Sequence, residues 1–137
     1  MLRSYQDADY PQLKALYQHS EWYGGVFDEA RDGRDRLRKV IKNDPEAILV
    51  YEEDGELKAT ISIIEDGRVA MLYRFVAAPE DFEIAQRLYG AATRTLKSRG
   101  HRQILVYSAI HDPALDWRYL NLGLTRGSNY VCFWSDL

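Results

Sequence analysis

The sequence predicts one mixed α/β domain in which helices cover a mostly antiparallel sheet. Three β-rich runs follow one another, and each of the two turns between them ends in an acidic residue followed by glycine, at Asp54-Gly55 and Asp66-Gly67. Helical and strand-like segments alternate through the rest of the chain, which is typical of layered α/β folds. Because 137 residues is the length of one typical domain, we expect a single domain over residues 1–137.

The first half of the chain predicts a strand, two helices and a three-stranded meander. Leu2–Gln6 is strand-like, and apolar residues then recur at helical spacing from Leu13 to Tyr17. A second helix is expected over Asp28–Lys42, with the mixed-charge run 31–36 on its solvent face. The three meander strands are expected at Ala47–Tyr51, Leu57–Ile64 and Arg68–Ala78.

The second half predicts two further helices and two further strands. A helix is expected from Pro79 to Gly100, since proline suits a first helical turn and glycine a helix end. Ile104–Ile110 is a continuous apolar run, typical of a strand that is buried on both faces. A helix over Pro113–Leu122 and a final β segment at Tyr130–Trp134 complete the order.

Composition and charge narrow the classes of function. A net charge of −3 argues against a nucleic-acid surface built on bulk charge, and no apolar run is long enough to predict a membrane partner. The single cysteine, Cys132, cannot form an intrachain disulfide, so we expect a cytoplasmic protein in which it is a buried structural thiol. Three scattered histidines and one cysteine give no metal-ligand spacing, so no metal is expected.

Three segments carry a resemblance to a known family. Residues 48–61 read ILVYEEDGELKATI, a strand–turn–strand unit, and residues 75–79 read FVAAP. Residues 112–124 read DPALDWRYLNLGL, against the pattern N-x-x-A-x-x-x-Y-x-x-x-G-F. Tyr119 and Gly123 fall on the expected positions, whereas Asp112, Leu115 and Leu124 replace asparagine, alanine and phenylalanine. In order and spacing, these segments resemble the GNAT N-acetyltransferase superfamily over nearly the whole chain.

The resemblance implies a fold and an activity. It implies a GNAT-like central mixed sheet in which Arg68–Ala78 and Ile104–Ile110 are parallel neighbours that splay apart. It also implies acetyl-CoA as co-substrate, with its pantetheine arm along the main chain of the first of these strands and a tyrosine that protonates the departing CoA thiolate. The residues that these roles fall on are Tyr119 for the proton and, for the cofactor, Phe75, Val76, Ala78 and Asp112.

The loop that should hold the pyrophosphate matches the family poorly, and two frames compete. Arg87–Ala92 fits the family's R-x-x-G-x-A, but it also fits the interior of the expected helix. Glu80–Ala85 has the right distance from the strand, yet it places the carboxylates of Glu80, Asp81 and Glu83 against a dianion. We favour the second frame, with Ile84 and Ala85 in the loop and Gln86 and Arg87 reaching back to offset the repulsion.

Fewer residues can be assigned to binding and deprotonating the amine that would accept the acetyl group. Trp22 and Tyr23 fall where relatives line the acceptor pocket and could hold an amine cation on their rings, with core packing an equally weighted alternative. Residues 71–74 offer no carboxylate base, which leaves His111 or water for deprotonation. We expect acetyl transfer to a small amine or a protein amine, with a homodimer left open. The alternative is an inactive GNAT-fold domain that binds a partner protein or metabolite.

Overall fold

The computed structural model describes all residues, 1–137, and divides into two compact units, Met1–Val106 and Tyr107–Leu137. The second unit contains one helix, α5 (Pro113–Asn121). None of the helices combines the length and apolar composition that crossing a membrane requires. In chain order, the first unit contains β1 (Leu2–Ser4), α1 (Tyr10–His19), α2 (Glu29–Asp32), α3 (Arg34–Asn43), β2 (Ile48–Glu53), β3 (Glu56–Glu65), β4 (Ala70–Val76) and α4 (Phe82–Ser98).

The sheet of the first unit has the order β1-β2-β3-β4, and every pair of neighbouring strands is antiparallel. The predicted meander is therefore confirmed as β2, β3 and β4. Both predicted turns are also found, and their glycines, Gly55 and Gly67, have φ values of 80° and 85°. Glycine suits these positions because it has no Cβ to clash in the left-handed region.

The core lies on β3, since residues 59–63 of this strand are buried at successive positions. Successive side chains of a strand point to opposite faces, so both faces of β3 are covered. Both α1 and α4 pack against this strand. One cluster of buried residues joins α1 to β2 and β3 and comprises Tyr5, Tyr10, Leu13, Tyr17, Tyr23, Leu37, Ala47, Ile48, Val50, Leu57 and Val76.

The prediction of one helix over Asp28–Lys42 is wrong, because the chain leaves the helical conformation at Gly33 (ψ 162°) and forms α2 and α3. A Cβ on Gly33 would lie 2.3 Å from the main-chain oxygen of Glu29, so only glycine fits this junction. The mixed-charge run is not wholly on the solvent face either, since Asp32 is buried.

The predicted strand Ile104–Ile110 is reduced to a single parallel bridge between Leu105 and Met71. In this bridge Leu72 N donates to Leu105 O (3.0 Å) and Leu105 N donates to Ala70 O (2.9 Å). No main-chain partner continues the ladder, and a strand exists only where its main-chain groups have such partners. The expected burial on both faces is also wrong, since residues 107–110 are exposed.

The final predicted strand, Tyr130–Trp134, does not form, and the expected burial of Cys132 is wrong. Residues 125–137 form no main-chain hydrogen bond with any other part of the chain. The segment has the composition of a strand without a partner strand, so its side chains, including the Cys132 thiol, are exposed.

Candidate functional site

The first part of the candidate site is the connection from β4 to α4. Phe75 and Val76 end β4 and are buried, and Ala77 is buried directly after them. Ala78 is half-buried, and its carbonyl oxygen accepts a hydrogen bond from Asp81 N (2.9 Å), which turns the chain into the helix. The helix begins at Phe82, three residues later than the expected start at Pro79. A strand therefore leads through five residues to the N-terminus of a 17-residue helix.

The N-terminus of α4 directs main-chain N–H groups out of the helix. The first helical bond across this end joins Ala85 N to Asp81 O (3.0 Å), so the N–H groups of Glu83 and Ile84 lie ahead of the helical ladder. The Asp81 side chain caps none of them. Such an end carries a partial positive charge and suits an anion.

Carboxylates surround this helix end, and one of them is neutralised. Glu80 and Glu83 are exposed. Arg87 Nη2 donates to Glu83 Oε1 at 2.7 Å, one helical turn away, and its Nη1 lies 3.4 Å from the hydroxyl of Tyr51. The hydrogen bond to Glu83 raises the pKa of Arg87. Arg87 thus lies near the helix end, but it is engaged by the acid beside it.

The other residues predicted for the loop lie within the helix. Ala85 is buried, Ile84 is half-buried, and Gln86 is exposed. The competing frame, Arg87–Ala92, lies wholly inside α4. Arg87–Ala92 matches the R-x-x-G-x-A sequence pattern, but these residues form continuous helix and not a loop.

A second feature lies in β4, at a bulge opposite residues 60–62 of β3 where the register shifts. Arg74 occupies the bulge with φ 45°, a conformation that residues other than glycine seldom adopt. Its guanidinium is buried, and Arg74 Nε and Nη2 donate to Asp32 Oδ2 at 3.1 and 2.9 Å. A buried charge requires such a partner.

The same guanidinium holds the segment that follows α1. Arg74 Nη1 donates to the carbonyl oxygens of Tyr23 (2.5 Å) and Gly24 (3.3 Å). Its Cζ lies 3.7 Å from the ring centroid of Tyr23 and 4.3 Å from that of Tyr73. The Tyr23 hydroxyl donates to Asp32, and burial, together with that hydrogen bond, raises the pKa of Tyr23 to about 12. Tyr23 therefore stays protonated as a donor.

This network determines what the two predicted acceptor residues can do. Tyr23 is buried and packs on Tyr17, with ring centroids 5.1 Å apart, and Arg74 lies over its ring. Trp22 is half-buried, and its main-chain N–H donates to Ser20 Oγ (3.0 Å). Arg74 thus anchors the segment that carries both residues to the sheet.

Asp32 and Arg74 were not predicted as site residues. An arginine within a strand whose neighbours are mostly apolar is a signal that it needs a buried partner. The sequence alone could not identify that partner, because Asp32 lies 42 residues earlier in a run of mixed charge.

The second unit holds the predicted proton donor. Tyr119 lies on α5 and is half-buried. Arg118 Nη2 lies 3.3 Å from its hydroxyl oxygen and donates to it. Burial lowers the pKa of Arg118. The Asp112 side chain accepts a hydrogen bond from Leu115 N (3.1 Å) and so acts as the N-cap of α5.

The remaining candidates are His111, considered as a base, and possible metal ligands. His111 is exposed and has φ 64°, a turn conformation at the start of the segment that leads into α5. No group of three or more histidine, cysteine, aspartate or glutamate side chains is arranged to hold a metal ion.

Comparison with known proteins rests on structure. No family model matches the sequence, and no curated protein matches it. Solved structures do match. The ribosomal-protein-alanine N-acetyltransferase from Brucella melitensis superposes with a TM-score of 0.71 at 19% identity, covering 90% of this chain and 83% of that one. The glucosamine-6-phosphate N-acetyltransferase from Arabidopsis thaliana gives 0.69 at 18% identity, covering 99% and 98%.

A third neighbour, the aminoglycoside antibiotic 6'-N-acetyltransferase AAC(6')-IG from Acinetobacter haemolyticus, gives a TM-score of 0.72 at 15% identity and covers 100% of this chain and 99% of that one. The three proteins act on different acceptors, so what they share with this chain is the fold. The chain has the fold of the GNAT acetyltransferases: a mixed α and β structure whose four-stranded antiparallel sheet is flanked by helices.

Proposed function

We propose that this protein is an N-acyltransferase that moves an acetyl group from acetyl-CoA to a primary amine, and that residues 1–137 act as one N-acetyltransferase-like domain. One observation carries the proposal. In a chain with the GNAT fold, β4 leads through a short turn to a long helix whose first N–H groups lie ahead of its own hydrogen-bond ladder.

The main chain at the end of β4 is proposed to hold the pantetheine arm. The bridge to Leu105 stops at Leu72, and β4 continues to Val76 without a main-chain bond to residues 101–106. The arm would bond to Phe75, Val76 and Ala78 as an added strand does, since extended ligands pair with open strand edges. β4 is thus proposed to be the first of the two splayed strands.

The pyrophosphate is proposed to lie at the start of α4. The N–H groups of Glu83 and Ile84 are suitable donors, and Ala85, the next residue of this turn, is proposed to lie beside the phosphates as a small side chain. Glu80 and Asp81 oppose an anion there, which predicts weak binding. Arg87 and Gln86 are the compensating side chains. Moving Arg87 from Glu83 to a phosphate breaks a single solvent-exposed ion pair, which contributes little stability.

Acetyl-CoA supplies an activated thioester carbonyl, and the chain is proposed to supply position and one proton. The amine nitrogen forms a bond to the acetyl carbon, the carbon–sulfur bond breaks, and the sulfur takes the proton of the Tyr119 hydroxyl. The proton lost by the amine leaves to water, which also returns a proton to Tyr119. We assign no side chain as general base; water accepts that proton.

The acceptor is proposed to be a small amine or an amine of a protein. Trp22 is the residue on the anchored segment whose ring would meet a cationic acceptor. Tyr23 is proposed to act through its packing, because its ring and its hydroxyl already have partners in Arg74 and Asp32.

The test is acetyl-CoA-dependent release of free CoA thiol with a panel of small amines and lysine peptides. Tyr119→Phe should lower kcat about 100-fold or more, the lower range for general acid catalysis, and leave KM for acetyl-CoA unchanged. Tyr89→Phe, the same change in a half-buried tyrosine of α4, is the control and should keep full turnover. Equal turnover of the two variants would remove Tyr119 from the mechanism.

A further inference from the structure

Residues 20–28, which connect α1 to α2, have little main-chain support of their own. We call them the α1–α2 segment. The main-chain groups of residues 24–27 form no hydrogen bond with any other main-chain group. Gly24 and Gly25 lie at the centre of the segment, are exposed and have φ values of 91° and 115°. A loop without such bonds opens easily unless side chains hold it.

One guanidinium replaces the missing main-chain bonds. Arg74 Nη1 donates to the carbonyl oxygens of Tyr23 (2.5 Å) and Gly24 (3.3 Å), and Arg74 Cζ lies 3.7 Å from the ring centroid of Tyr23. The charge of Arg74 is already matched at Nε and Nη2, which both donate to Asp32 Oδ2. The ion pair therefore does not need Nη1, and the two bonds of this nitrogen serve the α1–α2 segment.

Arg74 joins this segment to the strand that is proposed to hold the cofactor. It directly precedes Phe75 and Val76, the residues of β4 assigned to the pantetheine arm. The α1–α2 segment carries Trp22, the residue assigned to the acceptor. Reacting atoms must approach to about 3–3.5 Å, and a displacement of about 1 Å can lower the rate about 100-fold. The spacing between the cofactor and the acceptor therefore depends on this side chain.

We propose that Arg74 is a positioning residue for the acceptor: it fixes the α1–α2 segment on β4 and thereby sets the affinity for the amine. This inference rests on the proposed function. Arg74 acts through the segment and not by contact with the amine, and Asp32 neutralises its charge, so the buried pair does not repel an ammonium group. Lysine cannot replace it, because one ammonium group lacks the planar fork that reaches Asp32 and two carbonyl oxygens together.

The first test compares Arg74→Lys with the parent protein in steady-state thiol release. KM for the amine should rise about tenfold or more, and KM for acetyl-CoA should stay within about twofold. Arg99→Lys is the matched control, because Arg99 also bridges elements, through Asp44 and Glu46, but has no partner in the α1–α2 segment. It should leave both KM values unchanged. A lower kcat with an unchanged KM for the amine in Arg74→Lys would show a structural role alone and overturn the proposal.

The second test uses the contact at Gly24. A Cβ on Gly24 would lie 3.3 Å from Arg74 Nη1, whereas a Cβ on Gly25 would meet no atom within 4 Å. Both glycines have positive φ, so alanine strains the main chain at either position. The variants differ in whether the new methyl group presses on the guanidinium. Gly24→Ala should therefore raise KM for the amine above that of Gly25→Ala, and equal values would contradict anchoring by Arg74.

Limited proteolysis with chymotrypsin tests the anchoring without any need for turnover. Cleavage after Tyr23 or Phe27 should be about tenfold faster in Arg74→Lys than in the parent protein or Arg99→Lys, because a released segment opens to the protease. Cleavage after Tyr130, in the exposed residues 125–137, should be equal in all three proteins and serves as the internal reference.

The outcomes separate this proposal from the proposed function. If Arg74→Lys is also cut after Tyr51, in β2, its sheet is unfolding, and the comparison of the two glycine variants decides instead. A parent protein that releases no thiol with any amine would overturn the proposed function and, with it, the acceptor role of Arg74. Thiol release by the parent protein, together with an unchanged KM for the amine and unchanged cleavage in Arg74→Lys, would overturn this proposal alone.

Discussion

The two compact units of this chain use similar residues in opposite ways. In Met1–Val106, aromatic and charged side chains are brought inside: Tyr17 and Tyr23 are buried, and so is the ion pair between Arg74 and Asp32. In Tyr107–Leu137, aromatic side chains such as Phe133 lie at the surface, and the ion pair between Arg126 and Asp116 is exposed.

The difference between the two units follows from the sheet, which only the first unit contains. The first unit has four strands whose main-chain groups satisfy one another, so its side chains can be covered on both faces. The second unit contains one helix and no strand, although Tyr130–Trp134 has the composition of a strand. The apolar side chains of this segment are therefore exposed. We therefore expect the first unit to contribute most of the stability of the chain.

The largest effect is expected from the two ion pairs. Asp32→Ala leaves Arg74 charged and buried without its partner and should lower the free energy of unfolding by about 3–5 kcal/mol. Asp116→Ala removes the acid of an exposed pair and should cost about 0–1 kcal/mol. Denaturant unfolding measures both. If the two variants lose the same free energy of unfolding, the buried pair between Arg74 and Asp32 contributes no more than an exposed pair.

The next effect is expected at a glycine from each unit. Gly33→Ala places a Cβ 2.3 Å from Glu29 O and should destabilise by about 1–3 kcal/mol, as overpacking does. Gly127→Ala meets no atom within 4 Å and should change the thermal midpoint little. If Gly33→Ala is as stable as the parent protein, the junction between α2 and α3 is not tight.

Acid should weaken the first unit through its surface ion pairs. The hydrogen bonds from Arg3 to Asp9 (2.7 and 2.9 Å) lower the pKa of Asp9, and Arg99 lowers the pKa of Asp44 in the same way. A carboxyl group with a lowered folded-state pKa stabilises the fold above its unfolded pKa, and this contribution is lost as pH falls through the folded value.

Unfolding free energy should therefore hold from pH 7 to about pH 4 and fall below it, the ordinary carboxyl range. Asp9→Asn should be less stable than the parent by about 1 kcal/mol at pH 7, and the gap should close at low pH. A gap that is independent of pH would mean that the Asp9 charge plays no part.

The smallest effect is expected on cofactor affinity. Glu83→Gln removes a negative charge at the start of α4 and releases Arg87, so acetyl-CoA should bind about three- to fivefold tighter, the equivalent of less than 1 kcal/mol. Glu56→Gln, at the first residue of β3, removes a similarly exposed acid that pairs with Lys58 and should leave affinity unchanged. Weaker binding by the Glu83 variant would contradict a phosphate site at this helix end.

Local patterns predicted much of the first unit. The two acidic-glycine turns identified the meander, and the proline and glycine that flank the helix identified α4, because both signals are carried by residues close in sequence. The resemblance carried by residues 112–124 predicted the fold that the structural neighbours share with this chain. Tyr119 and the other proposed site residues stay predictions.

Long-range partners could not be predicted. The pairing of Arg74 with Asp32 depends on which elements meet, and Gly33 looked like an ordinary helix residue in a charged run. The strands predicted at Ile104–Ile110 and Tyr130–Trp134 failed for a related reason. Strand composition reports a preference, whereas a strand needs a partner that the sequence of the segment does not contain.

The central claim is that this chain binds acetyl-CoA through the end of β4 and the start of α4, and isothermal titration with acetyl-CoA tests it most directly. We expect saturable heat at one site with a Kd below about 1 mM, or at least 4.1 kcal/mol of binding free energy. Acetyl-pantetheine should retain most of that affinity, because the acidic loop weakens the phosphate contacts. Absence of heat with millimolar acetyl-CoA would contradict the account.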